Sequence, residues 1–319
     1  MNNKIRTLAV VLITCNCLFL PDSRAAFIEL QPRLETGMMY YSIESMADNS
    51  ITPSRYGETA GHYLAEKKHE FSDNVAFVSG GATFFINRLF VDLSGQYTFN
   101  GKARSHPSSS AYLEADNSFL SMDPEFRSRF YRTDMAVSAG CAVSENFSVY
   151  LGYKWSALDL DSSLDGPASY LKINEYVGNG RIEGQQYFRF RYEGPFIGIA
   201  QGRKFGKPGL FNGFISAKLA LAYLRSKGTQ EQIATFTIDS VNGVEIEPRG
   251  APLHDIIEAK GSTLGLAVGF DWHGATSINN LSYGIGISGY RYNFNSDETD
   301  SQDINETAVT FKVGLSYLF

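Results

Sequence analysis

Few residues in this chain have the types and spacing that chemistry requires. Glu58, His62 and Glu66 recur at four-residue intervals, with His69 and Glu70 close behind. On a helix the first three share a face, and two imidazoles with carboxylates form a donor set for a divalent cation. No complete ligand set closes by spacing, however, and a short charged helix or solvated loop is the simpler reading. His106, Pro107 and Ser108 bring an imidazole near a hydroxyl, as acyl hydrolysis needs, but the stretch is Ser-rich and the proline argues against a strand. Glu114 with Asp116, and His254 beside Asp255, are the remaining acid and imidazole pairs. Cys141 has Val137, Ala139 and Val143 at two-residue spacing, which makes it a small residue on an apolar face rather than a nucleophile. There is no Gly-rich phosphate loop, no paired-Cys metal site and no repeat of 20 to 50 residues. No catalytic residue, metal or cofactor is assigned.

The elements that would position these groups begin after an N-terminal targeting segment. Lys4 and Arg6 precede an apolar stretch over 8–20, and Pro21, Asp22 and Ser23 lead to Arg24, Ala25 and Ala26. This order of charged region, apolar region and small-residue site reads as a signal peptide over 1–25, cleaved after Ala25. Its removal takes away Lys4, Arg6, Arg24 and Asp22, leaving 25 basic and 33 acidic side chains, a net charge of −8. That balance argues against a nucleic-acid partner. Cys15 and Cys17 leave with the segment, so Cys141 has no partner for an internal disulfide.

From Phe27 onward the hydrophobic pattern has a period of two. In 307–319, Val309, Phe311, Val313, Leu315, Tyr317 and Phe319 form one wholly apolar face, while Thr310, Lys312, Gly314 and Ser316 lie between them. The same split appears over 89–100, 147–159, 214–226, 261–272 and 281–294, and less regularly near 27–42, 74–87, 127–142 and 186–205. These ten segments exceed the five or six residues usual for globular strands, and they pair an apolar face with one of Gly, Ser and isolated charges. A bilayer accounts for the first face and a narrow lumen for the second. The chain is therefore expected to be all-β: a transmembrane, antiparallel, up-and-down barrel of ten strands occupying 26–319.

The connections alternate in length, as such a barrel requires. Short turns lie at Asn87 and Arg88, 144–146, 206–212 and 274–280; long polar loops are expected at 43–73, 101–126, 160–185, 227–259 and 295–306. Asn242 and Gly243 signal a two-residue hairpin inside the fourth loop, with a second arm ending at Pro248, too short to cross a membrane. Aromatic residues fall at strand ends as an interface belt. Tyr40, Tyr41, Tyr97, Phe99, Tyr153, Trp155, Tyr223, Tyr290 and Tyr292 lie toward the loops, and Phe27, Phe147, Phe214, Trp272, Tyr283 and Phe319 toward the turns. Gly194 and Pro195 mark an expected bulge.

Terminal Phe319, with Tyr317, Leu315, Val313 and Phe311 at every second position before it, resembles the assembly signal of Gram-negative outer-membrane proteins. The resemblance implies recognition by the barrel-assembly machinery, and with it contact with outer-membrane lipid and lipopolysaccharide. Length and strand count resemble the omptins, ten-stranded outer-membrane proteases, in layout. Members of that family resemble one another in an acidic pair on one outer loop and an Asp/His pair on another. Glu114 with Asp116, and adjacent His254 and Asp255, match neither arrangement.

Alternation assigns Glu29, Arg33, Glu35, Asp92, Asp134, Lys154, Arg189, Arg191, Glu193, Lys218, Asp271 and Lys312 to the lumen. Ten strands enclose little more space than the eight that side chains fill, so an ion-paired polar core is expected, with a narrow solute channel along Arg189, Arg191 and Lys218 as the alternative. The expected role is that of a surface-exposed protein whose outer loops bind a host surface, lipopolysaccharide or another envelope protein, in adhesion or envelope interaction, with an omptin-like outer-membrane protease as the second alternative. Divalent cations bridging acidic loops to lipopolysaccharide are a further expectation.

Overall fold

The structure is a computed structural model that describes residues 28–47, 67–99, 101–105, 109–113, 118–123, 125–172, 176–205, 213–276, 278, 280–296 and 303–319. Ten strands close a ring: β1 (Ile28–Ala47), β2 (Lys67–Ile86), β3 (Leu89–Thr98), β7 (Glu125–Ser144), β8 (Phe147–Lys172), β9 (Tyr176–Phe205), β10 (Gly213–Val241), β11 (Val244–Ala275), β12 (Leu281–Ser296) and β13 (Asp303–Tyr317). Every neighbour is antiparallel, and β1 pairs with β13 to complete the circuit. Three short strands, β4 (Gly101–Ser105), β5 (Ser109–Leu113) and β6 (Ser118–Met122), join the rim on β7 and β8. This is the up-and-down barrel that the period of two predicts. The first strand begins beside the β2–β3 turn and Phe319 bonds Leu30, so both described ends lie at the short-turn end. The expected targeting segment, 1–25, lies outside the described residues.

Alternation controls what each face buries. At the turn end, outward residues are apolar and accessible: Leu34 and Met38 on β1, Leu93 on β3, Ile197 and Ile199 on β9, Leu264 and Leu266 on β11, Phe311 and Leu315 on β13. Leu264 is 75% exposed, a burial pattern that water would penalise at roughly 25 cal/mol per Å² and hydrocarbon rewards. Cys141 lies in the same band, opposite Leu89. Phe311, Val313, Leu315, Tyr317 and Phe319, the residues of the expected assembly signal, all have this outward parity.

Toward the loop end the polarity inverts while the alternation continues. Inward residues become the apolar set, among them Tyr41, Phe71, Phe130, Leu158, Phe190, Leu224 and Phe294, packed in one cluster. Phe126, Leu164, Ile182 and Ala234 form a second. Outward residues become Asp159, Asp161, Asp165, Arg181, Arg189 and Arg191, which pair across β8 and β9. Strands rise out of the apolar band into water, where the closed barrel needs an oil-filled interior and a charged exterior.

Inversion overturns several expectations. The stretches 160–185 and 227–259 are not mainly loops: β8 runs to Lys172, β9 starts at Tyr176, and β10 and β11 meet at Asn242 and Gly243. Both turn residues are left-handed, with φ 51° and 79°, as a two-residue hairpin of the primed type demands. Pro248 does not end the second arm, because β11 passes through it and Pro252. No partner strand lies along 244–260 opposite β10 among the described residues, and prolines are tolerated on such an edge. Gly194 and Pro195 form no bulge: Ala222 faces Phe196 and Arg225 faces Glu193 in one unbroken register. Tyr41 and Tyr292 are buried inside, and Tyr290 and Phe214 share their inward parity, so none belongs to the outer belt. Phe27 lies outside the described residues.

Candidate functional site

Polar chemistry inside the barrel is arranged in two tiers. The lower tier sits within the apolar band. Arg33 on β1 holds Asp92 on β3 with two hydrogen bonds of 2.6 and 2.9 Å, and Thr83 on β2 donates to the same carboxylate at 2.5 Å. Lys312 on β13 reaches Glu35 at 2.9 Å and Asp271 at 3.2 Å, while Lys218 on β10 reaches Asp271 at 2.9 Å. Each carboxylate withdrawn from bulk water is thus met by a cation, the condition for keeping buried charge tolerable. Glu29 shares the inward parity nearer the turn end.

Arg132 on β7 organises the upper tier. Its guanidinium makes a fork to Asp134 at 2.7 and 2.9 Å, bonds Glu306 on β13, and donates to the Tyr192 hydroxyl at 2.5 Å. Tyr290 donates to Glu306 at 2.8 Å. Lys154 stands 3.6 Å from Asp134 and 4.6 Å from the Tyr290 ring centroid, so cation–π contact supplements the ion pair. The set is neutral, with two cations and two carboxylates. Arg132 is 1% exposed and Glu306 0%, directly beneath the aromatic cluster of Phe190 and Phe294.

Glu29, Arg33, Glu35, Asp92, Asp134, Lys154, Lys218, Asp271 and Lys312 therefore face inward as expected. Arg189, Arg191 and Glu193 do not. They face outside on the loop-end part of β9, where Arg189 bonds Asp161 at 2.6 Å and Arg191 bonds Asp159 at 2.7 Å. Their inward neighbours are Phe188, Phe190 and Tyr192. Reading every polar residue of an alternating strand as lumenal fails once the strand has left the membrane. The basic strip for a channel, Arg189 with Arg191 and Lys218, is consequently split between the two surfaces. Sequence reading missed Arg132 and Glu306, although the parity of Asp134 and Lys312 extended by one or three further pairs of residues locates both.

Of the imidazole candidates only part is described. Glu58, His62, Glu66, His106, Pro107, Ser108, Glu114 and Asp116 lie outside the described residues, and of His69 and Glu70 only the backbone, in β2, is described. His254 faces outward on the β10–β11 hairpin and meets Glu231 across the ladder at 3.1 Å. The side chain of Asp255 lies outside the described residues. Among the described residues no three His, Cys, Asp or Glu side chains stand close enough to hold a metal ion.

On the outer wall, where the apolar band ends, a groove of about 440 Å³ runs across β7, β8, β9 and β10. Met135 and Trp155 form its apolar part; Arg191, Glu193, Arg225 and Lys227 form its polar part. Arg225 and Lys227 have no carboxylate within ion-pair distance among the described residues, so the groove carries net positive charge.

Comparison with solved structures places the architecture. The outer-membrane protease OmpT from Escherichia coli superposes with a TM-score of 0.55 at 11% identity, over 91% of this chain and 97% of that one. The fold is that of an outer-membrane β-barrel. A Pseudomonas aeruginosa FadL homologue, 12% identical over 91% of this chain and 90% of that one, gives a TM-score of 0.27. The translocator domain of the Neisseria meningitidis autotransporter NalP, 8% identical over 98% and 95%, gives 0.30. No protein-family profile matches the chain, and no curated protein matches it. At 11% identity the likeness to OmpT is one of fold.

Proposed function

We propose that this protein resides in the outer membrane of a Gram-negative cell as a non-conducting barrel, and that its tall loop-end wall is a rigid platform for extracellular binding. The observation that carries this reading is the inverted upper half. Inward Phe190, Phe294, Leu158 and Tyr41 fill the bore where a pore would have to pass, and each is at most 2% exposed. Export through the segment 1–25 and assembly through Phe311, Val313, Leu315, Tyr317 and Phe319 belong to the same reading. Lipopolysaccharide is its nearest partner: Arg225 and Lys227 stand above Trp155 and Met135, at the height where a phosphorylated headgroup meets its acyl chains, with Arg191 beside them.

Planar-bilayer recording of the refolded mature protein tests the first part. Silence from heat-modifiable, folded protein is the expected result, and stable unitary steps altered by Lys218→Ala would replace it with a channel. For the second part, co-purified lipopolysaccharide per barrel should fall in Arg225→Ala/Lys227→Ala while folding yield in plain phospholipid is unchanged. Unaltered lipopolysaccharide content would remove the headgroup site.

A further inference from the structure

The outer groove ends at β10, but the row of positive charge in it continues. On β11, Lys260 stands directly opposite Lys227 across the ladder, and on β9 Arg191 stands opposite Lys227 from the other side. All three are exposed on the outer face, so β9, β10 and β11 carry one row of cations. Neighbouring strands lie about 4.8 Å apart, which brings the β-carbons of Lys227 and Lys260 to about 5 Å.

Only Arg191 in this row is neutralised. It bonds Asp159 at 2.7 Å, whereas Lys227 and Lys260 form no ion pair among the described residues, and neither does Glu258, the next outward residue of β11. Like charges directly opposite destabilise a ladder, and nothing within the chain offsets this pair. One outward pair lower, Arg225 faces Ser262, and Asn295 on β12 faces Ser262 from the far side. One pair lower again, Tyr223 faces Leu264 at the edge of the apolar band. The lysine pair thus stands just above the hydrocarbon, with further hydrogen-bond donors beneath it.

We infer that Lys227 and Lys260 clamp a phosphate monoester, so that the headgroup site selects lipopolysaccharide over diester phospholipids. This rests on the headgroup reading above and deepens it by naming the charge state that is recognised. A monoester phosphate carries nearly two negative charges above neutral pH and has three free oxygens, so it neutralises both ammonium groups and accepts a hydrogen bond from each. A phosphodiester carries one charge and leaves one lysine uncompensated. The difference is one partly exposed charge pair, about fivefold in lipid retention.

Native mass spectrometry of the refolded mature barrel in neutral detergent at pH 8 tests it, with phosphatidate as the monoester probe and phosphatidylglycerol of the same acyl chains as the diester. The parent protein should retain phosphatidate about fivefold more than phosphatidylglycerol. Lys260→Ala should bring that ratio close to one, although Lys260 lies outside the groove. Lys260→Glu, which gives Lys227 a partner within the ladder, should abolish the preference and slow hydrogen exchange around 225–230 in the lipid-free barrel. Equal retention of the two lipids by the parent, or a ratio unmoved by Lys260→Ala, would remove the clamp and leave the headgroup site standing. Retention of neither lipid, nor of lipopolysaccharide, would remove both.

Discussion

Arg132 stays charged without water because its donors find acceptors on three different strands. Asp134 takes two, Glu306 another and the Tyr192 hydroxyl a fourth. Deleting the guanidinium leaves Glu306 buried without a cation and Asp134 with Lys154 alone, so Arg132→Ala should cost about 3–5 kcal/mol in a reversible denaturant titration of the barrel. Arg132→Met combined with Glu306→Gln removes charges of opposite sign together and should recover part of that loss. A single variant as stable as the parent would mean that the tier does not hold the strands together.

Among elements, the loop-end extensions of β8 and β9 depend on exposed ladders of charge. Arg181 forks onto Asp165, its Nε at 2.6 Å, and the hydrogen bond holds that carboxyl below its ordinary value of 3.8. A lowered carboxylate contributes stability at pH values above 3.8 and loses the contribution as the pH falls through its folded-state value. Hydrogen exchange at the tips of β8 and β9 should therefore quicken at pH 3 relative to pH 7 beyond the intrinsic rate change, and Arg181→Gln should erase the difference. Both partners are exposed, so the effect belongs to local opening rather than to the whole barrel. At the neighbouring hairpin, space is open around Gly243 but its φ of 79° is not, so Gly243→Val should fray 235–250 at a cost of about 1–2 kcal/mol. Protection of the membrane band in the same exchange experiment should stay unchanged.

As a whole molecule the barrel has two regimes stacked on one axis, oil outside and charge inside below, charge outside and oil inside above. Shortening the β10–β11 hairpin, by joining Gln230 to Ile257 through Asn-Gly, removes water-exposed wall and leaves every outward apolar residue of the band in place. The shortened protein should still insert and keep its heat-modifiable mobility on gels, with platform binding lost. Failure to insert would show that the upper core is needed for the lower barrel to close. Asn242 and Gly243 were legible as a turn because left-handed φ needs those residue types, whereas the strand character of the arms beside them was hidden by their polar, Pro-containing composition.

The sequence by itself determined the barrel: ten runs of period-two alternation, short and long connections in turn, and an apolar last strand leave hydrogen-bonded closure as the only way to satisfy every backbone group in hydrocarbon. It also placed Arg33, Glu35, Asp92, Asp134, Lys154, Lys218, Asp271 and Lys312 on the lumenal parity, since parity is a local property. Which face counts as inside at a given height is not local. Phe190 and Arg191 alternate just as Leu315 and Ser316 do, yet their roles are exchanged, because only the closed tertiary structure establishes where the membrane ends along each tilted strand. The meeting of Arg132 with Glu306, 174 residues apart, arises from the same closure.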